Sequence, residues 1–287
     1  MRLLVTGAAG MLGRAVTAAA AAAGHDTVGA TRADLDVTDA DAVQAFVAAA
    51  APDAIVNCAA YTDVDGAESE RGELAALAVN GIAAGHLARA ASANGAHLVH
   101  VSTDYVFDGT KATPYVESDP VGPRSAYGRS KLAGEDAVAG VSPDHAIVRT
   151  AWLYGAGGPS FPATMLRLAG ERDEVRVVTD QVGSPTWTGH LAPVLVTIAE
   201  RRQGGVQHAA GTGAVSWHGF AEAIFAEAGR PTRVLPTTSA DFPRPAPRPA
   251  FSVLGSERAD HLPLPPWREG LRAFLATAAG VTIGETP

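Results

Sequence analysis

Tyr127 and Lys131 stand four residues apart in Tyr127-Gly-Arg-Ser-Lys131, and on a helix that spacing puts a phenol and an ammonium on one face. The pair suits the reduction of a ketone. A neighbouring positive charge stabilises phenolate and draws down a pKa that starts near 10, which makes the phenol a better proton donor to a carbonyl oxygen while hydride reaches the carbon. Lysine is rare here, because Lys111 and Lys131 are the only two among 22 basic residues. Arginine is no substitute, since its planar fork differs from a compact ammonium in hydration and geometry. A hydroxyl near the carbonyl would complete the set, and Ser102-Thr-Asp-Tyr105 supplies two. A strand's side chains alternate and its C-terminal end faces the ligand crevice; Ser102 or Thr103 could therefore reach it, and Thr103 is the choice.

These groups need a cofactor beside them. Val5-Thr-Gly7-Ala-Ala-Gly10-Met-Leu-Gly13 follows the first β-like run and opens a helical one. There, backbone N–H groups and the helix dipole can meet a pyrophosphate that a β-carbon would block. Gly7, Gly10, Met11, Leu12 and Gly13 are thus candidate dinucleotide-binding residues. At the end of the second strand, where an acid would hold the ribose 2′-hydroxyl of NAD, stand Thr31 and Arg32, which leans toward NADPH. Asp34 and Asp36 follow closely enough to touch ribose or adenine, so NADH stays open.

The elements that must carry these residues alternate. Strands are expected at Arg2–Thr6, Asp26–Thr31, Ala54–Cys58, His97–Ser102 and His145–Thr150, with helices at Met11–Ala23, Asp39–Ala51, Glu73–Ala93 and Ser125–Val138 between them. This is the pattern of a parallel sheet covered on both faces. The expected fold is therefore α/β, a Rossmann-type doubly wound parallel sheet with a smaller C-terminal substrate-binding lobe. Residues 1–150 would bind NAD(P), and residues 151–287 would be mainly the lobe, some segments returning to the sheet. The prolines from Pro236 to Pro249 imitate a linker, but Trp267, Leu271 and Phe274 beyond them read as a helix that packs back. Asn80 is read as structural.

Composition bounds the class. The chain has 287 residues, 47% hydrophobic and 18% charged, with net charge −8 and one cysteine, Cys58. That suits a compact globule, gives no electrostatic footprint for nucleic acid or an anionic membrane, and allows no internal disulfide. The N-terminal apolar run imitates a signal peptide, yet Gly7, Gly10 and Gly13 explain it better. A cytoplasmic location is expected.

The chain resembles the extended short-chain dehydrogenase/reductases, and within them the dTDP-4-dehydrorhamnose reductases. The resemblance runs nearly end to end and rests on the glycine turn, Pro52-Asp-Ala-Ile-Val-Asn57, Ala60-Tyr-Thr-Asp-Val-Asp65, Ala67-Glu-Ser69, Ser102-Thr-Asp-Tyr-Val-Phe107, Tyr127-Gly-Arg-Ser-Lys131, Arg149-Thr-Ala-Trp152, Asp180-Gln-Val-Gly-Ser-Pro-Thr186 and Arg248-Pro249. It implies reduction of the 4-keto group of a dTDP-6-deoxy-L-hexulose, with Thr103, Tyr127 and Lys131 as catalytic triad. It implies cofactor contacts from Gly10 to Leu12, Ala60, Tyr61, Thr62, Tyr127 and Lys131, and a sugar pocket of Val64, Asp104, Tyr105 and Trp152. It further implies an entrance shaped by Asp180, Gln181 and Thr186, and a diphosphate contact from Arg248.

No metal site is expected: Asp63-x-Asp65-Gly66 lacks the ligands of a calcium loop. A dehydratase is disfavoured because Tyr105, not glutamate, follows Asp104. A 4-epimerase, another dTDP-4-keto-6-deoxysugar reductase and a non-catalytic NADP-binding subunit resembling the regulatory partner of methionine adenosyltransferase are the alternatives. The expected partner is a nucleotide-sugar substrate, with no nucleic acid and no membrane, in a monomer or homodimer.

Overall fold

The computed structural model describes residues 1–141 and 143–283; Ser142 and residues 284–287 of the expected lobe lie outside the described residues. The first half alternates β1 (Arg2–Thr6), α1 (Met11–Ala22), β2 (Asp26–Ala30), α2 (Ala40–Ala50), β3 (Ala54–Asn57), α3 (Glu70–Ala76), α4 (Ala83–Ala93), β4 (His97–Thr103), α5 (Ala126–Ala139) and β5 (His145–Thr150). Then come β6 (Leu153–Tyr154), α6 (Phe161–Ala169), β7 (Glu174–Val178), β8 (Val182–Gly183), β9 (Thr186–Trp187), α7 (Thr188–Arg201), β10 (Gly205–His208), β11 (Val215–Ser216), α8 (Trp217–Glu227), β12 (Arg233–Thr237) and α9 (Trp267–Ile283).

The central sheet is parallel throughout, in the order β10-β5-β4-β3-β1-β2. Its strands are apolar on both faces, as burial by helices on each side demands. On one face Leu3, Val5, Val56 and Val148 pack with Leu12 and Val16 of α1 and Leu191 and Leu195 of α7. On the other, Leu4, Ile55, Leu98 and Ile147 pack with Val43 and Val47 of α2, Leu87 of α4 and Val138 of α5. The chain leaves β1 for β2 on one side and returns to β3 on the other. A crevice therefore opens at the carboxyl ends of β1 and β3, where ligands settle in such sheets.

A third apolar cluster is built from α6, α8, α9 and the β7/β12 pair, with Tyr154, Phe220, Trp267, Leu271 and Phe274 at its centre. The proline-rich stretch is no linker. Ala246 is buried within it, and its backbone N–H and the Arg248 guanidinium both donate to Asp65 Oδ1, at 3.2 and 2.8 Å.

Two departures from the expected elements matter for the site. β4 runs one residue further, to Thr103, whose hydroxyl accepts from Tyr105 N–H at 3.2 Å and starts a 3₁₀ turn at Asp104. The helix expected at Glu73–Ala93 begins at Glu70, capped by Ser69, and widens into a π turn over Leu77–Ile82. The whole span Glu70–Ala93 is long and apolar enough to cross a membrane by length and composition, and 56% of its most apolar window is buried inside the protein.

Candidate active site

The turn after β1 requires glycine at two positions. A Cβ on Gly7, whose φ is +64°, would stand 2.7 Å from Ala59 N, and one on Gly13 would stand 2.2 Å from the Gly7 carbonyl oxygen. With both absent, α1 starts hard against β1. Its N-cap is Gly10, and no side chain among the described residues caps it. Gly10, Met11, Leu12 and Gly13 face a cleft of about 620 Å³. The Gly10 N–H is taken by the Gly7 carbonyl at 2.9 Å, and the first-turn N–H groups that follow it, with the helix dipole, fit the pyrophosphate of a dinucleotide.

The opposite wall holds the expected chemistry. Thr103, Tyr127 and Lys131 line the same cleft, together with Ala60, Thr62, Val64, Asp104, Tyr105 and Trp152. Ser125 caps α5 through Gly128 N–H at 3.0 Å, which fixes where that helix starts and so turns Tyr127 and Lys131 inward. Both candidate hydroxyl residues line the cleft; Thr103 donates to Asp104 Oδ1 at 2.9 Å, whereas the Ser102 hydroxyl is spent on buried Glu135.

Burial dominates the electrostatics. It pushes the Tyr127 phenol up to about 12; the nearby Asp104 carboxylate adds to the rise and hydrogen bonding with Thr103 opposes it. The expectation that Lys131 lowers this pKa is not met. Its ammonium, 2% exposed, donates instead to the Val101 carbonyl at 2.7 Å, and burial draws it down to about 8. Tyr127 is thus a fully protonated donor at neutral pH. Asp104, 1% exposed, is raised by burial to about 6 against hydrogen bonds that lower it.

A carboxyl whose folded pKa exceeds its unfolded one carries a stability penalty that is full above the folded pKa and absent below the unfolded value of 3.8. Asp104→Asn should therefore raise unfolding stability at pH 7.5, and the gain should shrink by about 1–3 kcal/mol as pH falls toward 4. Urea melts at the two pH values measure it; a gain independent of pH would mean that burial of the charge is not the cause.

Other expected residues lie elsewhere. Gly7 sits beneath the turn. Arg32 and Asp36 are exposed beyond β2, where Asp36 accepts from Thr38 and Asp34 from Thr31 in local turns. Tyr61 enters through its backbone: its N–H donates to Asn80 Oδ1 at 2.9 Å, and Asn80 Nδ2 donates to the Tyr61 carbonyl at 3.1 Å and to Ser130 Oγ at 2.9 Å. Asn80, fully buried in the π turn, thereby ties the Ala60–Thr62 strip to the helix of Tyr127 and Lys131. Asn80→Ala leaves two Tyr61 backbone groups unpaired and should cost about 1–3 kcal/mol in a chemical denaturation curve. A loss under 0.5 kcal/mol, within the range of ordinary surface substitutions, would deny it that anchoring role.

Arg248 lines a second pocket of about 800 Å³ with Arg172, Arg176, Arg244, Phe242 and Gln181. Asp180 is engaged by Ser239, and Thr186 is fully buried, accepting from Gly211 N–H. Sequence reading missed Trp217, which lines both pockets and stacks on Trp152 with ring centroids 3.4 Å apart and planes 2° from parallel. Trp152 holds a left-handed φ of +47° there, unusual for a bulky side chain. No group of three or more His, Cys, Asp or Glu placed to hold a metal ion occurs among the described residues.

A doubly wound parallel sheet, a glycine turn at its switch point and a Tyr/Lys helix facing that turn define a Rossmann-type reductase. Residues 1–279 match the family described as the RmlD substrate binding domain, and the chain belongs to that family. A dTDP-4-dehydrorhamnose reductase of Mycolicibacterium smegmatis is 47% identical over 98% of this chain and 87% of that one. A dTDP-4-dehydrorhamnose reductase of Streptomyces griseus is 49% identical over 97% of this chain and 94% of its own. Among solved structures, dTDP-4-dehydrorhamnose reductase from Bacillus anthracis in complex with NADP superposes with a TM-score of 0.93 at 38% identity, covering 96% of this chain and 99% of that one.

Proposed function

We propose that this chain reduces the 4-keto group of dTDP-4-dehydro-L-rhamnose to give dTDP-L-rhamnose, using NADPH and accepting NADH. The observation that carries the reading is the single cleft in which the Gly10–Gly13 turn faces Thr103, Tyr127 and Lys131. Residues 1–150 hold the dinucleotide, and residues 151–287 chiefly hold the substrate. The protein works in the cytoplasm as a monomer or homodimer on a small nucleotide sugar, without nucleic acid or membrane.

When bound, the dihydronicotinamide supplies the hydride. The chain's own residues supply the proton and the alignment. Tyr127 gives its phenolic proton to the carbonyl oxygen as negative charge develops there, and Thr103 turns its hydroxyl hydrogen from Asp104 Oδ1 to the same oxygen. Lys131 holds the cofactor ribose by a charge-assisted hydrogen bond. Val64, Asp104, Tyr105 and Trp152 grip the sugar, the indole giving a flat apolar face and one N–H donor. Arg248 takes the diphosphate with Arg244 beside it; Arg248 pairs with Asp65 at 2.8 Å, so two phosphates must compete with one carboxylate for it.

The test is loss of absorbance at the reduced-nicotinamide band with dTDP-4-dehydro-L-rhamnose, NADPH and NADH being offered separately. Oxidation with formation of dTDP-L-rhamnose is expected. Stoichiometric binding of NADPH with no oxidation would replace the enzyme by a binding subunit. Arg32→Ala should raise KM for NADPH about tenfold through loss of one contact to the 2′-phosphate and leave NADH unaffected; equal effects on both cofactors would remove Arg32 from phosphate recognition.

A further inference from the structure

Helix α5 carries three ionisable residues four apart, Tyr127, Lys131 and Glu135, so they form a row along one face. The first two line the cleft. Glu135 lies one turn further along, 4% exposed, and does not. Its carboxylate is gripped from two strands. Ser102 of β4 donates to Oε1 at 2.5 Å. Arg149 of β5, also 4% exposed, donates through Nε at 3.0 and 3.2 Å and through Nη2 to Oε2 at 2.7 Å. The Arg149 guanidinium lies 5.1 Å over the Phe107 ring, which fixes it from the other side.

Such a pair is a poor stability device, because desolvating both charges offsets their attraction and apolar replacements of the same volume often do as well. Its position suggests another use. We propose that Glu135, clamped by Arg149 and by Ser102, the neighbour of Val101, is a positioning residue that keeps the Lys131 side chain seated on the Val101 carbonyl beneath the reacting centre. Its importance for turnover rests on the role given to Lys131 under the proposed function.

The groups around Lys131 single out Glu135. From β3's end comes Cys58, which burial pushes up to about 12 and so keeps as thiol. From β4 comes His100, held neutral by burial and by Lys131 itself, its Nδ1 paired with Asn57. Asp104 beyond β4 acts on Tyr127, while Arg129 and Asp136, the other charged residues of α5, are exposed. From β5 comes Arg149, spent on Glu135. Burial draws Lys131 down, and Glu135 is the foremost group opposing it.

Two lysines in the whole chain make the test direct. Protein labelled with ε-¹³C lysine gives two signals, and Lys111→Arg assigns them. In Glu135→Gln/Arg149→Met, which removes both buried charges together, the Lys131 midpoint should fall by about one pH unit or more, and the alkaline limb of kcat/KM should fall with it. Glu135→Asp keeps Arg149 neutralised and withdraws the carboxylate by one methylene; it should shift the midpoint the same way by less, and it serves if the double variant does not fold. Arg149→Lys, which keeps a cation beside Glu135 and adds a third lysine signal, should leave the Lys131 midpoint at the parent value. A Lys131 midpoint unmoved in the folded variants overturns the proposal. A moved midpoint with an unmoved kinetic limb upholds the coupling and sinks the assignment of Lys131 to the reaction.

Discussion

Replacing Tyr127 by phenylalanine should lower turnover by about 10²–10⁴-fold while NADPH affinity stays within about twofold. The change removes one oxygen from a ring that otherwise keeps its place, edge-on to Tyr105 at a centroid distance of 5.7 Å and packed by Ala67, Ala76 and Ala126. Burial and the Asp104 charge hold the phenol near 12. The parent is therefore proton-loaded throughout the neutral range, and its rate should not fall through loss of this proton below pH 9. A weak acid still serves here, because the oxygen it must protonate becomes an alkoxide, a far stronger base than phenolate. In the variant Thr103 remains as the hydrogen-bond donor, which stabilises developing charge without delivering a proton. Steady-state kinetics with a separate NADPH titration would distinguish the two effects. Turnover within tenfold of the parent would assign the proton to another donor.

What could be read in the chain before its fold was known followed how local the physical requirement is. The glycine turn was legible because a strand, a tight turn and a helix start leave no room for a β-carbon, a demand met within seven residues. The Tyr/Lys pair was legible because a helical period of 3.6 needs no knowledge of neighbours. The end of β4 was legible as the place of the hydroxyl, but alternation left Ser102 and Thr103 both open, and it is the hydrogen bond of Ser102 to Glu135, set by the fold, that separates them. The pKa of Tyr127 was misjudged for the opposite reason. Sequence spacing shows that Lys131 is near, but it does not show that burial outweighs the charge or that Val101 takes up the ammonium. Trp217 and the Asp65–Arg248 pair were beyond reach, since each joins segments distant in the chain, the latter by 183 positions. The π turn around Asn80 left no mark in an alanine- and leucine-rich helix, nor did the long-range hydrogen bonds that Asn80 makes from it to Tyr61 and Ser130.

Lys131→Met should give a protein that is a worse enzyme and a more stable one. The loss of a charge-assisted hydrogen bond to the cofactor ribose should weaken NADPH binding about 10–100-fold, and turnover should fall as well, because the cofactor and Tyr127 lose their common reference point. Stability moves the other way. A lysine whose folded pKa of about 8 lies below its ordinary 10.5 carries a penalty that is full below the folded value and vanishes above the unfolded one. At pH 7 the substitution removes that penalty and forfeits the bond to the Val101 carbonyl, for a net gain of about 1–2 kcal/mol. Glu135 keeps Arg149 and Ser102 as partners, so no buried charge is left alone. The gain should shrink as pH rises from 8 toward 10.5, where the parent lysine also folds neutral. Thermal unfolding at pH 7 and pH 10, beside an NADPH titration, gives both halves of the trade. A variant less stable than the parent at pH 7 would show that the ammonium is a structural bolt, and one with unchanged NADPH affinity would free Lys131 of any duty toward the cofactor.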